Sequence, residues 1–349
     1  MSKRALLYGA YGYTGELVAR KAVEAGLEPI LAGRRERPLR DLAAELDLEY
    51  RAFSLSDPVA PHLSDVDVVA HCAGPFVDTY RPMVDACLAT ETHYLDITGE
   101  ISVLEAIKQY DDLAREAGVM FLPGAGFDVV PSDCLAAHLQ ERLPEATELT
   151  LSFDVGGMEA SGGTLKTMVE GLGEGSAVRE NGRIVSVPFG ERTKTIDTGH
   201  GPQTMMAFPW GDVSTAHFST GIENVGVYVP VSERTQQIYR VVDTLGPVMS
   251  AGPVKRVLQW GIGQLVDGPD AEEREHGESS FYGEATDGET TVRARVRTPE
   301  SYRFTAESMV EVLSRVLDGG AVPGYQTPST AFGSEFVLAI DDCAFEDLD

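Results

Sequence analysis

Short apolar runs alternate with amphipathic stretches over the first part of the chain. The apolar runs predict strands at residues 4–8, 28–32, 49–53, 67–72, 93–97 and 118–122. Apolar residues at helical spacing predict helices at about 14–25, 37–46, 80–90, 101–117 and 132–142. Strands and helices that alternate in this way form right-handed crossovers, which cover both faces of a parallel sheet. The pattern therefore predicts an α/β domain with a doubly wound, six-stranded parallel sheet.

The pattern changes near residue 148, where polar and apolar residues begin to alternate one by one. This alternation predicts half-buried strands at 149–155, 183–187, 204–208 and 225–231, and a hairpin over 280–297. The hairpin turns at Asp287-Gly288, a pair that favours a type I′ turn. Helical patterns return at 164–172, 235–266 and 304–317, and the acidic end of the chain is expected to be a solvated tail. The second half is therefore predicted to be an α+β domain with an antiparallel sheet.

Three glycines directly follow the first predicted strand and open the first predicted helix. In such a fingerprint Gly9 permits a tight turn, Gly12 lets the backbone approach a pyrophosphate, and Gly15 lets the helix pack close to the strand. The helix start adds amide donors and the positive end of the helix dipole. The turn therefore predicts a dinucleotide site, whose other candidate residues here are Tyr11, Tyr13 and Thr14.

The end of the second predicted strand indicates which dinucleotide binds. An NAD site usually has an acidic residue here for the ribose 2′-hydroxyl, whereas an arginine accommodates the 2′-phosphate of NADP. The strand ends in Gly33, Arg34 and Arg35 without an acidic residue. A guanidinium suits a phosphate because it is planar, always charged and able to bind bidentately. We therefore predict NADP as the cofactor, with Arg34 as the first phosphate contact and Arg35 as the second; the alternative is a solvated helix start.

Ligands of an open parallel sheet bind beyond the carboxyl ends of its strands. The fourth, fifth and sixth predicted strands end in turns rich in Gly and Pro, which let the backbone pass close to a flat ring. Two carboxyl groups of these turns, Glu100 and Asp128, are the candidate catalytic proton donors, because burial beside an apolar ring would raise their pKa toward neutrality. The turns also supply the remaining cofactor-binding candidates, which are Ala73, Gly74, Pro75, Phe76, Thr98 and Gly99.

Several polar residues near these turns also have structural interpretations. Asp96 could bind backbone amides, Glu100 could belong to a first helical turn, and Ser132 could cap the helix that follows. Cys72 and His71 are adjacent on a strand and so point to opposite faces, which favours a core role for Cys72 over a nucleophilic one. The histidines and the four cysteines lack metal-ligand spacing, so no metal site is predicted.

Composition limits the classes of protein to which the chain can belong. Its 349 residues, 43% of them hydrophobic, suffice for two domains. The net charge of −27 argues against nucleic-acid binding, which needs a basic face. No apolar run is long enough to cross a membrane, and the N-terminus lacks the pattern of a signal peptide. With cysteines that form no Cys-x-x-Cys pair, these features predict a cytoplasmic protein.

Five motifs follow one another in the first domain: GAYGYTG at 9–15, AGR at 32–34, CAGPF at 72–76, YLDITGE at 94–100 and GFDVVPSD at 126–133. In this order they resemble the saccharopine dehydrogenase-like oxidoreductases, and in particular the subgroup with the trans-acting enoyl reductases of lipid biosynthesis. Segments at 161–164, 268–274, 302–306 and 324–333 agree more loosely. The resemblance implies an NADP-binding Rossmann domain at 1–133 and about 318–349, with an inserted α+β domain at 134–317 for substrate binding and oligomerisation.

The resemblance also implies an activity, namely NADP(H)-dependent reduction of an activated C=C (enoyl) or C=N bond. Two alternatives stay open: a saccharopine- or lysine-type amino-acid dehydrogenase, and a non-catalytic NADP-binding sensor or scaffold. The second domain has few cations to grip an amino-acid carboxylate, so an apolar small molecule is the expected substrate. A second copy of the chain, docked through the second domain, is the candidate protein partner. Apolar residues of that domain either line its pocket or form its core: Met158, Met168, Met205, Met206, Phe208 and Trp210.

The excess of carboxylates leads to a prediction about salt. Only six of the 28 basic residues are lysines, a composition that suggests adaptation to a salty, halophilic cytoplasm. Repulsion among the carboxylates is screened within ~3 Å at molar salt. We therefore expect the thermal unfolding midpoint, followed by circular dichroism, to rise steadily from dilute buffer to molar KCl. A midpoint that stays flat or falls with KCl would show that the acidity has another cause.

Overall fold

The computed structural model describes residues 3–154, 175–198, 201–231 and 277–349. The chain divides into two compact units: Met1–Cys134 with Glu300–Cys343, and Leu135–Pro299 with Ala344–Asp349. The helices predicted at 164–172 and 235–266 lie outside the described residues. The assignment of the two domains to cofactor and substrate stays a prediction.

The first unit is built on a parallel sheet. Its strands in the described residues, numbered along the whole chain, are β1 (Ala5–Tyr8), β2 (Ile30–Gly33), β3 (Tyr50–Ala52), β4 (Val68–His71), β5 (His93–Asp96), β6 (Met120–Leu122) and β15 (Gly324–Tyr325). Their order is β15-β6-β5-β4-β1-β2-β3. The order reverses between β1 and β4, which is the switch point of a doubly wound sheet. The predicted Rossmann-type fold is thus confirmed, and β15 adds a seventh strand to the six predicted.

Helices connect these strands. Those of the described residues are α1 (Tyr13–Glu24), α2 (Glu36–Leu46), α3 (Phe76–Ala89), α4 (Ile101–Lys108), α5 (Asp111–Ala117), α6 (Val130–Arg142), α8 (Ser301–Arg315) and α9 (Pro328–Phe332). The single helix predicted over 101–117 is two helices, because the backbone at Tyr110 leaves helical geometry. A carboxylate oxygen of Asp111 then accepts a hydrogen bond from the amide of Tyr325 at 2.8 Å, which connects α5 to β15.

Burial of the strands in the core of the first unit explains why the sequence predicts them as apolar runs. Every residue of β1, β2 and β4 is buried, as expected for strands covered on both faces. Helix α1 buries Val18, Ala19 and Ala22 completely. Such continuous apolar runs and stripes lose water from most of their surface, and this burial is the main favourable contribution to folding.

The second unit is built on a mixed sheet. Its nine strands in the described residues are β7 (Glu148–Asp154), β8 (Ser176–Glu180), β9 (Arg183–Val187), β10 (Thr193–Asp197), β11 (Pro202–Ala207), β12 (Asn224–Pro230), β13 (Glu278–Thr286), β14 (Thr291–Pro299) and β16 (Ala344–Asp347). The main path is β10-β11-β12-β7-β13-β14-β16, with β8 paired to β12 and β9. The pairing of β12 with β7 is parallel and the others are antiparallel. Helix α7 (Asp212–Thr220) precedes β12.

Two hairpins of this unit, β8–β9 and β13–β14, differ from the sequence expectation. Asn181-Gly182 joins β8 to β9 with positive φ at both residues (48° and 75°), which is the two-residue turn that suits a hairpin. The type I′ turn predicted at Asp287-Gly288 is wrong. Gly288 has φ 95°, but the Asp287 carboxylate accepts the amides of Glu289 and Thr290 and so stabilises a longer loop.

The acidic end is mostly exposed, as predicted, but it is not an unpaired tail. The last residues form β16, which pairs with β14. Phe345 stacks on His138 of α6, with ring centroids 4.5 Å apart, and Asp347 accepts a hydrogen bond from Arg142 at 2.8 Å. The acidic end therefore joins a sheet because arginine and aromatic partners are present in the same unit.

Candidate functional site

The glycine turn between β1 and α1 leaves no room for side chains. Gly9 has φ 86°, and a Cβ there would lie 2.9 Å from the amide nitrogen of Ala73. A Cβ on Gly15 would lie only 2.2 Å from the carbonyl oxygen of Gly9. The amide of Gly12 donates to that same carbonyl at 2.9 Å, which closes the turn. The turn thus brings the end of β1 against the end of β4.

The start of α1 fits a phosphate group. Gly12 occupies the N-cap position, and no side chain caps the helix. The amides of a first helical turn have no acceptor within the helix, and the positive end of the dipole favours an anion there. The acidic residue of this turn, Glu16, pairs with Arg20 at 2.7 Å. Residues 9–15, including Tyr11, Tyr13 and Thr14, therefore fit the pyrophosphate of a dinucleotide.

Two exposed arginines stand at the end of β2, next to this turn. The guanidinium carbon of Arg35 lies 4.6 Å above the ring centroid of Tyr11. A Cβ on Gly33 would lie 2.8 Å from the same tyrosine ring, so this glycine makes room for it. Within the described part of the chain Arg34 forms no ion pair, although the net charge is −27. Arg34 is therefore an exposed cation that fits a phosphate ligand.

The turn after β4 leads directly into α3. Gly74 and Pro75 are exposed, and Phe76 begins the helix with its side chain buried against His71. The carboxylate of Glu100 accepts the amides of Phe76 at 2.7 Å and of Val77 at 2.9 Å. This carboxylate therefore caps α3 and connects the turn after β5 to the turn after β4.

The turn after β5 lies against the turn after β6. The amide of Thr98 donates to the Asp96 carboxylate at 2.8 Å, and the Thr98 hydroxyl accepts the amide of Glu100 at 3.1 Å. A Cβ on Gly99 would lie 2.9 Å from the carboxylate of Asp128. Burial raises the pKa of Asp128 to about 6, so this carboxyl can exchange a proton near neutral pH. Both proton-donor candidates thus lie beside Gly99.

The other polar residues weighed from the sequence have structural roles. Asp96 binds backbone amides, as one interpretation held. The capping role considered for Ser132 is wrong, because α6 begins at Val130 and the Ser132 hydroxyl donates to the carbonyl of Val129. Burial raises the pKa of the Cys72 thiol to about 12, which argues against a thiolate nucleophile. In the described ranges no cluster of His, Cys, Asp and Glu has an arrangement suited to a metal ion, and no helix is long and apolar enough to span a membrane.

Two residues of α8 belong to this region and were missed in the sequence. The ring of Tyr302 makes an edge contact with Tyr13, with centroids 4.8 Å apart. The hydroxyl of Thr305 accepts the amide of Phe127 at 3.1 Å, which holds the turn after β6 against α8. Thr305 lies 178 residues after Phe127, and Tyr302 lies still farther along the chain from Tyr13. Only the looser motif at 302–306 could have pointed to them.

Comparison with known proteins finds similarity over the strands that carry these turns. Residues 5–122 match the model of the saccharopine dehydrogenase NADP binding domain. The predicted resemblance to the saccharopine dehydrogenase-like oxidoreductases is confirmed. The match covers β1 to β6, which carry the glycine turn, the arginines and the turns after β4 and β5.

The chain is also similar to two proteins that are named as reductases or oxidoreductases. The chain is 31% identical over 216 residues to the trans-acting enoyl reductase of Mycobacterium tuberculosis, which covers 57% of this chain and 50% of the relative. It is 25% identical over 202 residues to the human saccharopine dehydrogenase-like oxidoreductase, which covers 50% and 47%. The chain thus matches about half the length of these relatives. Among solved structures, the saccharopine dehydrogenase (L-Glu forming) of Saccharomyces cerevisiae has a TM-score of 0.67 at 13% identity, covering 99% of this chain and 100% of that one, which supports the fold.

The contacts of Glu100 predict an effect on stability. We expect Glu100→Gln to lower the free energy of unfolding by ~1–2 kcal/mol, because the amide keeps one acceptor but loses the charge at the start of α3. Urea unfolding would measure the change. Glu105→Gln is the matched control, because it makes the same substitution in the helix that follows. Glu105 pairs with Lys108 at 3.1 Å, and such pairs contribute little to stability. Equal unfolding free energies for Glu100→Gln and the parent protein would contradict the capping role.

Proposed function

We propose that this protein is an NADP(H)-dependent oxidoreductase that reduces an activated C=C (enoyl) or C=N bond of a small apolar substrate. The observation that carries the proposal is the uncapped start of α1 behind the Gly9 turn, with the arginines at the end of β2 beside it. The similarity to two named oxidoreductases supports this activity, and the family model supports an NADP-binding domain.

The residues proposed to hold the cofactor follow the edge of the sheet. Residues 9–15 would hold the pyrophosphate, and Arg34 with Arg35 would hold the 2′-phosphate. Ala73, Gly74, Pro75, Phe76, Thr98 and Gly99 would form the surface for the nicotinamide end, because they stand at the carboxyl ends of β4 and β5. When bound, NADPH supplies the hydride for the reduction.

Asp128 is the better candidate of the two for proton donation. Its pKa of about 6 leaves part of the population protonated near neutral pH, and part of its surface stays exposed. Glu100 already accepts two backbone amides with its two oxygens, which a donor would have to give up. The role of Asp128 is therefore to hold a proton at its carboxyl oxygen beside Gly99 and to release it to the substrate.

The proposed substrate class rests on charge. The turns at 73–76, 97–100 and 124–128 contain no Lys or Arg, whereas an amino-acid dehydrogenase needs cations for the substrate carboxylate. The apolar residues of the second unit do not add to this argument. Met205, Met206 and Phe208 are core residues that are about 1% exposed, and Met158 and Met168 lie outside the described residues. A homodimer through the second unit stays part of the proposal as an expected partner.

The cofactor choice can be tested at Arg34. Loss of one charge-assisted contact costs ~1.5–3 kcal/mol, so Arg34→Ala should weaken NADPH binding by roughly tenfold to over a hundredfold and leave NADH binding almost unchanged. Titration calorimetry with both cofactors would measure the two affinities. Arg37→Ala is the matched control, since Arg37 is also exposed and lies 4.0 Å from Asp41. Equal affinity of the parent protein for NADPH and NADH would refute the assignment.

The proton donor can be tested through the pH profile. Only the protonated carboxyl of Asp128 can donate, so kcat/KM for NADPH oxidation with a 2-enoyl thioester should fall as the pH rises through about 6. Asp128→Asn should slow this reaction by ~10²-fold or more and remove that limb of the profile. The exposed Asp112→Asn serves as the control. An unchanged profile in Asp128→Asn would exclude this role, and NADPH binding without turnover of enoyl or imine substrates would favour a sensor or scaffold.

A further inference from the structure

A fully buried carboxylate lies at the last residue of β5, directly beneath the candidate site. One oxygen of Asp96 accepts the amides of Thr98 at 2.8 Å and Gly124 at 3.0 Å. The other oxygen accepts the hydroxyl of Tyr94 at 2.7 Å. Its three donors satisfy a group whose burial would otherwise be costly.

The two amides belong to different turns. Thr98 follows β5 and Gly124 follows β6, while the backbone pairing of these strands ends at Leu95 with Leu122. Beyond that pair, the carbonyl of Asp96 accepts the amide of Ala125 at 2.7 Å, and its carboxylate accepts the two amides described above. Asp96 thus continues the connection between the two strands after their regular pairing stops.

The turns that Asp96 connects carry the residues proposed to face the reaction. Gly99 and Asp128 are in near contact across the two turns, and Gly124 adopts φ 78°, a conformation open mainly to glycine. The turn after β5 also carries Glu100, which caps α3 and so fixes the turn that contains Gly74-Pro75. A change at Asp96 would therefore move the surface proposed for the nicotinamide end and leave the glycine turn and Arg34 in place.

The carboxylate is itself held in one orientation. Tyr94 is fully buried, and its hydroxyl lies 3.4 Å from Nδ1 of His71, which is also fully buried. The ring of Tyr94 makes edge contacts with His71 and Phe121. These packed rings fix the tyrosine hydroxyl, and the hydroxyl fixes one oxygen of Asp96.

We propose that Asp96 is a positioning residue, which holds the turns after β5 and β6 in the conformation that receives the nicotinamide end of the cofactor. This inference rests on the proposed NADP(H) function. It assigns to Asp96 a specific share of the binding, namely the nicotinamide end, whereas Arg34 serves the 2′-phosphate end.

The experiment compares two ligands that share one end. NADPH carries both ends of the cofactor, whereas 2′,5′-ADP carries only the adenosine and its phosphates. Asp96→Ala removes the acceptor, so it should weaken NADPH by about tenfold and abolish the fluorescence change of the bound nicotinamide, while the affinity for 2′,5′-ADP stays within about twofold of the parent value. Asp96→Asn keeps an acceptor oxygen and should restore part of the NADPH affinity. Arg34→Ala should weaken both ligands.

The control uses a carboxylate at the opposite edge of the same sheet. Asp67 accepts the amide of Arg4 at 2.7 Å before β4 begins, so Asp67→Ala also loses a carboxylate–amide bond and should leave both ligands unaffected. Titrations are run well below each melting temperature; if Asp96→Ala does not fold, Asp96→Asn with a selective loss of NADPH affinity decides in favour of the proposal. Parallel weakening of both ligands, or parent-like binding of both by the Asp96 variants, would overturn the inference alone. A parent protein that binds neither ligand would overturn the NADP(H) function and this inference with it.

Discussion

The close approach of Gly9 to the backbone at the end of β4 is the constraint on which the candidate site depends. A side chain at this position would collide with Ala73, and one at Gly15 would collide with the Gly9 carbonyl. Because neither residue has a side chain, α1 starts directly beside the switch point of the sheet. The uncapped amides of α1 and the turn after β4 therefore share one edge, which is the arrangement that a dinucleotide requires.

Carboxylates organise the rest of that edge. Regular pairing stops where the strands end, and the turns beyond are rich in Gly and Pro, which pack weakly by themselves. Glu100 connects the turn after β5 to α3, and Asp96 connects it to the turn after β6. Each bond joins a negative group to backbone amides, which is stronger than a bond between neutral partners. The turns at this edge of the sheet are thus stabilised by carboxylates that the sequence alone would suggest as catalytic groups.

The sequence predicts the first unit well because its strands are continuous apolar runs. It misses β15, which has only two residues and pairs with β6 through the backbone. In the second unit Asn181-Gly182 forms a two-residue hairpin turn. Asp287-Gly288 is a similar pair but lies in a longer loop, because the Asp287 side chain accepts hydrogen bonds from the backbone amides. Site residues that act through their own turn, such as Gly9 and Gly15, can be inferred locally. The contacts of Glu100 and Tyr302 cannot, because their partners are distant along the chain.

Asp96 and Asp128 illustrate why a perturbed pKa does not assign a role. Burial raises the pKa of both carboxyls to about 6, so this value alone would make them equal candidates for proton transfer. Their surroundings differ. Asp96 is fully buried, and both of its oxygens accept hydrogen bonds from the protein, so a proton there would break the contacts that hold two turns. Asp128 keeps part of its surface exposed beside Gly99, where a substrate can reach it. Desolvation is the largest cause of the raised pKa in both places, although hydrogen bonds to Asp96 oppose it there. Access to the proton therefore separates the positioning residue from the candidate donor.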